Sequence, residues 1–166
     1  PNAKTIGVIY TSSEVNSEVQ VKAMTEYAES KGLTVRVATI STVNDIQQAA
    51  QSLVDEVDVF YEPTDNIIAS AMPTLAAITD AARKPIICGE ENMVRSGGLA
   101  TYGIDYYKLG VQTGEMGADI LDGKSKPADM PIQTAKELKL TINKTNAAAI
   151  GITIPEDLMK NAEVVE

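Results

Sequence analysis

The sequence contains no histidine and no tryptophan, and only one cysteine (Cys88) and one phenylalanine (Phe60) among its 166 residues. Without histidine, Ser–His and Cys–His activation of a nucleophile is excluded, as are the commonest zinc sites. A single cysteine excludes an internal disulfide. It lies in the apolar run Pro85-Ile86-Ile87-Cys88-Gly89 and reads as a small buried hydrophobe rather than a reactive thiol. Lys and Arg number 14 against 23 Asp and Glu, a formal net charge of −9. That balance argues against a nucleic-acid partner or an anionic membrane surface. No apolar run approaches the roughly 20 residues of a membrane span, and no signal peptide is present. The chain begins with Pro1 and a strand follows almost at once, so Pro1 reads as a processed or engineered start. The missing leader therefore says little about compartment. With aromatics at 4%, the core must be built from Ile, Val, Leu, Ala and Met.

What is present alternates. Lys4 to Tyr10 is a short β-branched run, the pattern of a buried strand. Val15, Val19, Ala23 and Tyr27 then recur at helical spacing, and Gly32 stands where a helix would end. Further strands are expected at Leu33–Ile40, Val57–Tyr61, Pro85–Cys88 and Leu99–Ile104. A helix capped by Asn44 or Asp45 should run to about Val54, and another should cover Ile67–Arg83. Pro73 inside the latter removes a backbone donor, so a kink or two abutting helices are expected there. Tyr106 to Leu121 reads as a helix whose Gly110, Gly114 and Gly117 suit close packing on another backbone. Beyond a polar linker at Gly123–Pro131 come a strand at Glu137–Ile142 and short helices at Asn146–Ile150 and Pro155–Lys160. The order predicts an α/β fold, a doubly wound, mainly parallel sheet of flavodoxin-like type.

In open parallel sheets, ligands bind beyond the carboxyl ends of the strands, where loops diverge and helix N-termini point at the gap. Four loops qualify. The first carries Ser12, Ser13, Asn16 and Ser17, hydroxyls and amides suited to a carboxylate, carbonyl or sugar, or simply to capping the next helix. The second carries Asp65 and Asn66, of which Asp65 either accepts from a ligand amine or caps a helix. The third holds Glu90 and Glu91, a possible counter-charge for an ammonium or an ordinary solvated pair. The fourth holds Asp105 beside Tyr106 and Tyr107, where a carboxylate among aromatic rings suits a cationic or aromatic ligand, with capping again the alternative. No Walker loop, G-x-G-x-x-G or G-x-S-x-G elbow occurs, and no carboxylate pair has an evident acid–base partner. No cofactor or metal is expected, and the chain should hold a small molecule without transforming it.

The stretches IGVIYTSSEVNS, QQAAQSLVDEVDVFYEPTDN, GLATYGIDYYKLGVQTGEM and NAAAIGITIPEDL resemble a family of ABC-transporter substrate-binding proteins. These have the periplasmic-binding-protein type I fold, and the subgroup includes binders of tryptophan and other aromatic amino acids. The resemblance implies two α/β lobes joined by hinge strands, an interlobe cleft for the ligand, an ABC permease as partner, and an extracytoplasmic or lipoprotein setting for the intact protein. It covers only the second half of such a protein. It implies that residues 1–104 form the carboxy-terminal-type lobe. Residues 105–135 would be a hinge-following helix and linker that belong with the other lobe, and 136–166 a terminal strand and short helices. On the resemblance, Ser12, Ser13, Asn16, Ser17, Asp65, Asn66, Glu90, Glu91 and Asp105 line one cleft wall. The helix at 106–121 must then dock on this lobe's own sheet, swap into a homo-oligomer, or meet the other lobe as a separate chain. An effector-sensing domain of a transcription regulator or receptor borrows the same fold and is the alternative function.

Overall fold

A computed structural model describes residues 2–166, so the reading of Pro1 as a processed start lies outside the described residues. The chain runs β1 (Thr5–Thr11), α1 (Val15–Ser30), β2 (Thr34–Ile40), a 3₁₀ turn at Val43–Asp45, α2 (Ile46–Leu53) and β3 (Val59–Glu62). Next come α3 (Asn66–Ala81), β4 (Ile86–Cys88), α4 (Glu91–Arg95), β5 (Ala100–Ile104) and α5 (Tyr106–Leu121). A 3₁₀ turn at Pro127–Asp129, β6 (Leu138–Asn143), α6 (Lys144–Ile150), α7 (Glu156–Lys160) and β7 (Glu163–Val165) complete it.

The strands form one sheet in the order β2-β1-β3-β4-β5-β6-β7. The first five are parallel in the flavodoxin order. β6 turns antiparallel to β5, with Ile104 opposite Leu138, and β7 runs parallel to β6. The apolar core lies between sheet and helices: Ile9, Phe60, Ile68, Leu75 and Met93 have no exposed surface. These β-branched and large apolar residues recur where each strand or helix turns inward, so burial selects the element that the local pattern allows. Gly32, with φ of 76°, takes the left-handed turn after α1, and Leu33 N–H returns to the Ala28 carbonyl at 3.0 Å.

Four expectations need correction. The stripe Val15, Val19, Ala23 and Tyr27 does not face the sheet. All four are exposed, and α1 packs through Ser17, Val21 and Ala28. Its polar and apolar residues are too evenly spread for periodicity alone to choose the inner face. Neither Ser13 nor Asn16 caps α1. Its N-cap position is Glu14, which makes no side-chain capping bond. Pro73 does not divide α3, which is one helix from Asn66 to Ala81. Pro73 lies on the exposed face, where water can satisfy the carbonyl it leaves free, while Met72, Leu75 and Ala76 hold the inner face in place. Finally, a Cβ added at Gly110, Gly114 or Gly117 would meet nothing within 4 Å, so among the described residues no backbone packs on that helix face.

Helix α5 accordingly does not complete the five-stranded unit by docking on the sheet. Gln112 is its one buried residue, and its amide donates to Gln133 Oε1 (2.8 Å) and the Thr134 carbonyl (3.1 Å). These partners lie in the extended strap that returns to β6. The chain thus leaves the sheet at Ile104 and re-enters at Leu138, directly opposite, with Lys108 paired to Glu137 beside the two crossings.

Candidate ligand-binding site

Because β1, β3, β4 and β5 are parallel, their carboxyl ends lie on one edge, and the loops after them share that edge. The structure brings the four candidate loops together in this sense. Loops two and three touch: a Cβ on Gly89 would lie 2.6 Å from Thr64 N, so only glycine fits there.

The acids are largely committed to the protein. Asp65, 2% exposed, caps α3 by accepting from Ile67 N and Ile68 N at 3.0 Å. It also accepts from Thr11 N and Thr11 Oγ1 at 2.8 Å. Glu90 caps α4 through Asn92 N (2.9 Å) and Met93 N (2.8 Å). Glu91 bridges Arg95 (2.5 Å) and Lys139 (3.3 Å); both cations also pair with Glu163 of β7. Asp105 caps α5 through Lys108 N (3.0 Å) by its Oδ1 alone. Each carboxylate serves a helix N-terminus or an ion pair, as the partial positive charge and free N–H groups there favour.

The first loop differs. Ser12 and Ser13 are exposed, and only Ser12 Oγ makes a contact, a long one of 3.4 Å to the Ile40 carbonyl. Ser17 is fully buried, its hydroxyl turned onto the Thr64 carbonyl at 3.4 Å. Asn16 Nδ2 donates to that same carbonyl at 2.8 Å, and Asn66 Nδ2 to Glu14 Oε2 at 3.2 Å. Glu14 also accepts from Asn66 N at 3.1 Å, and Gln20 Oε1 accepts from Thr64 N at 3.1 Å, which tie loops one and two together. These long-range partners of Glu14, Thr11 and Gln20 carry no signal in the sequence, since 44 to 54 residues separate each pair.

Two buried groups stand behind the edge. Glu62 ends β3 with no exposed surface, and neither carboxylate oxygen has a side-chain or solvent-exposed partner. Burial pushes its acid well above the ordinary range, with the nearby Asp65 adding to the shift. Cys88, beside it across the ladder, is buried, and that burial pushes its thiol up, so it serves as a small hydrophobe rather than a reactive thiol. At the fourth loop, burial and then the Glu90 carboxylate push the Tyr106 phenol up. Tyr107 and Tyr102 are largely exposed. Concavities of about 290 and 490 Å³ flank the strand crossings at Asp105, Lys108 and Glu137, not the Ser12 and Asp65 loops. Among the described residues no cluster of acids and cysteine could hold a metal ion.

A family profile described as ABC transporter substrate binding protein matches residues 1–166. The chain belongs to this family. A tyrosine-binding protein of Clostridioides difficile (strain R20291) is 45% identical over 92% of the chain and 44% of its own length. A solved ABC domain in complex with L-Trp, from Streptococcus pneumonia, is 43% identical with a TM-score of 0.90, over 99% of this chain and 56% of that one. A ligand-free, open substrate-binding protein with adhesive properties, from Clostridium difficile, is 43% identical with a TM-score of 0.83, over 100% of this chain and 55% of that one. The chain therefore spans about half the length of these relatives. The ABC substrate-binding family is one of binding proteins rather than enzymes, and the flavodoxin-like lobe seen here is its architecture.

Proposed function

We propose that this chain supplies one wall of an interlobe cleft that holds an aromatic amino acid for an ABC uptake system outside the cytoplasm. One observation carries the reading. At the ligand edge, α3, α4 and α5 have their N-termini capped by Asp65, Glu90 and Asp105, whereas α1 has no side-chain cap. A ligand carboxylate is therefore best received at α1, by its first-turn N–H groups with the exposed Ser12 and Ser13 hydroxyls. The relatives named for tyrosine and solved with L-Trp support an aromatic side chain, and the half-exposed Tyr106 at the start of α5 offers a ring for it to stack on.

Residues 105–135 are read as belonging with the other lobe, and residues 1–104 and 136–166 as this one. The side-by-side crossings at Ile104 and Leu138 support a hinge there, and the unpartnered glycines of α5 support a lobe packed on it. The permease would read the closed cleft.

Calorimetry of the two-lobe protein tests this with L-tryptophan, L-tyrosine and a monosaccharide. Micromolar or tighter binding of an aromatic amino acid is expected. Binding of the sugar without either amino acid would sink the proposal. The 166-residue chain alone should bind far more weakly, because two lobes closing on a ligand supply most of its burial.

A further inference from the structure

An amino acid carries an ammonium as well as a carboxylate, and of the acids on this wall Asp65 and Glu90 are already engaged, while Asp105 keeps one oxygen free at the fourth loop. Asp65 is 2% exposed and accepts four hydrogen bonds. Glu90 is 7% exposed and accepts two. Where loops one and two meet, the amide oxygens of the exposed Asn16 and Asn66 are acceptors without a partner among the described residues.

Which way these amides point is settled by their partners. The Asn16 amide faces the Thr64 carbonyl at 2.8 Å and Glu14 Oε2 at 3.4 Å. The Asn66 amide faces the same Glu14 Oε2 at 3.2 Å. A carbonyl and a carboxylate can only accept, so each amide must present its NH₂ to them and turn its oxygen the other way. Both side chains are exposed, and both meet at one carboxylate atom. Glu14 is held in turn by the Asn66 backbone N–H at 3.1 and 3.2 Å. Gln20 braces the same corner by donating to the Asn16 carbonyl at 3.1 Å.

We propose that Glu14 is a positioning residue for ligand recognition: by holding the NH₂ groups of Asn16 and Asn66, it turns their Oδ1 atoms toward the cleft as the acceptors for a ligand's ammonium group. This rests on the amino-acid reading above and names the part of the wall that selects for the α-amino function. Two neutral acceptors oriented by a buttressing carboxylate give direction to an ammonium, and the carboxylate behind them supplies the favourable charge. A glutamine at this position sets an NH₂ donor where Glu14 Oε1 accepts from the Asn66 backbone N–H, and it removes the negative charge behind the two amides.

The test is calorimetry on the two-lobe protein with L-tryptophan and its des-amino analogue, indole-3-propionate, for the wild type, Glu14→Gln and Asn66→Ala. The wild type should strongly prefer the amino acid. Both variants should lose about ten-fold or more in affinity for L-tryptophan, the scale of one hydrogen bond to a charged group, while affinity for the des-amino analogue stays unchanged. Equal losses for both ligands would show a general loosening of the wall and overturn the proposal, as would no loss for either. A wild type that binds the des-amino analogue as well as L-tryptophan would overturn it while leaving a carboxylate-binding cleft in place. A wild type that binds no amino acid at all would remove the amino-acid reading itself, and this proposal with it. Thermal melts of each variant check that it folds, and Asn16→Ala, which lies outside the α3 N-terminus, is the substitute if Asn66→Ala does not.

Discussion

Asp65 joins β1 to α3 through four hydrogen bonds while almost wholly buried. Its removal should therefore show first as lost stability: Asp65→Ala is expected to cost about 2–3 kcal/mol, summing a lost cap and unsatisfied buried N–H groups. Urea unfolding of the 166-residue chain measures it, and a cost within 0.5 kcal/mol, the usual range for a surface substitution, would mean that solvent replaces those bonds. Glu62 makes a different kind of statement. Its native pKa is raised above the ordinary 4.5 by burial, so above that value the folded chain holds a proton that the unfolded chain gives up. Stability from this group therefore falls as pH rises from about 4.5 through its raised native value. Urea midpoints at an acidic and a neutral pH should differ more for the wild type than for Glu62→Gln, which cannot ionise. Parallel pH slopes in the two proteins would show that Glu62 does not titrate across that window. The spacing of acids along the chain could mark Asp65, Glu90 and Asp105 as helix-edge residues, but not that the helix ends claim them before any ligand does. That outcome depends on Thr11, 54 residues from Asp65, and on similar distant partners.

Among the elements, the strands were legible because β-branched runs bounded by polar turns have few other uses, as at the largely buried Thr5–Thr11 and the mostly exposed edge strand Thr34–Ile40. The short β7 was not, since Glu163–Val165 is a strand only by virtue of pairing with β6. Nor was the five-residue α4, whose Glu90 cap reads from sequence as a loop acid. Helix α3 shows how packing overrides a local rule. Its buried face holds it continuous through Pro73, so restoring the missing backbone bond should strengthen it: Pro73→Ala is expected to raise stability by about 1 kcal/mol or more, short of the roughly 3 kcal/mol cost of proline in a bare helix. A lower melting temperature in that variant would mean that the chain is adapted to the proline. Helix α5 is the opposite case, with correct sequence periodicity but almost no inner face. Its amides should exchange with solvent orders of magnitude faster than those of α3 in this chain. Hydrogen-exchange mass spectrometry resolves the two, and equal protection would place α5 against a surface that the fold of one chain does not supply.

At the scale of the whole molecule, one sheet carries two kinds of work. Its parallel half, β2 to β5, sets four loops along one edge, and its antiparallel turn into β6 brings the chain back beside its point of exit. The Glu91, Arg95, Lys139 and Glu163 cluster ties α4, β6 and β7 together just behind those crossings. The same compactness gives the lobe a clock. Cys88 is the sole thiol, buried in the sheet with its acidity suppressed, so a thiol reagent can reach it only when β4 parts from its neighbours. Each labelled molecule then records one opening event. Labelling rates in increasing, sub-denaturing urea should rise in step with the global unfolding equilibrium. A rate indifferent to urea would mean a local breath around β4 and α4, and the lobe would then yield first at the edge that carries its four polar loops.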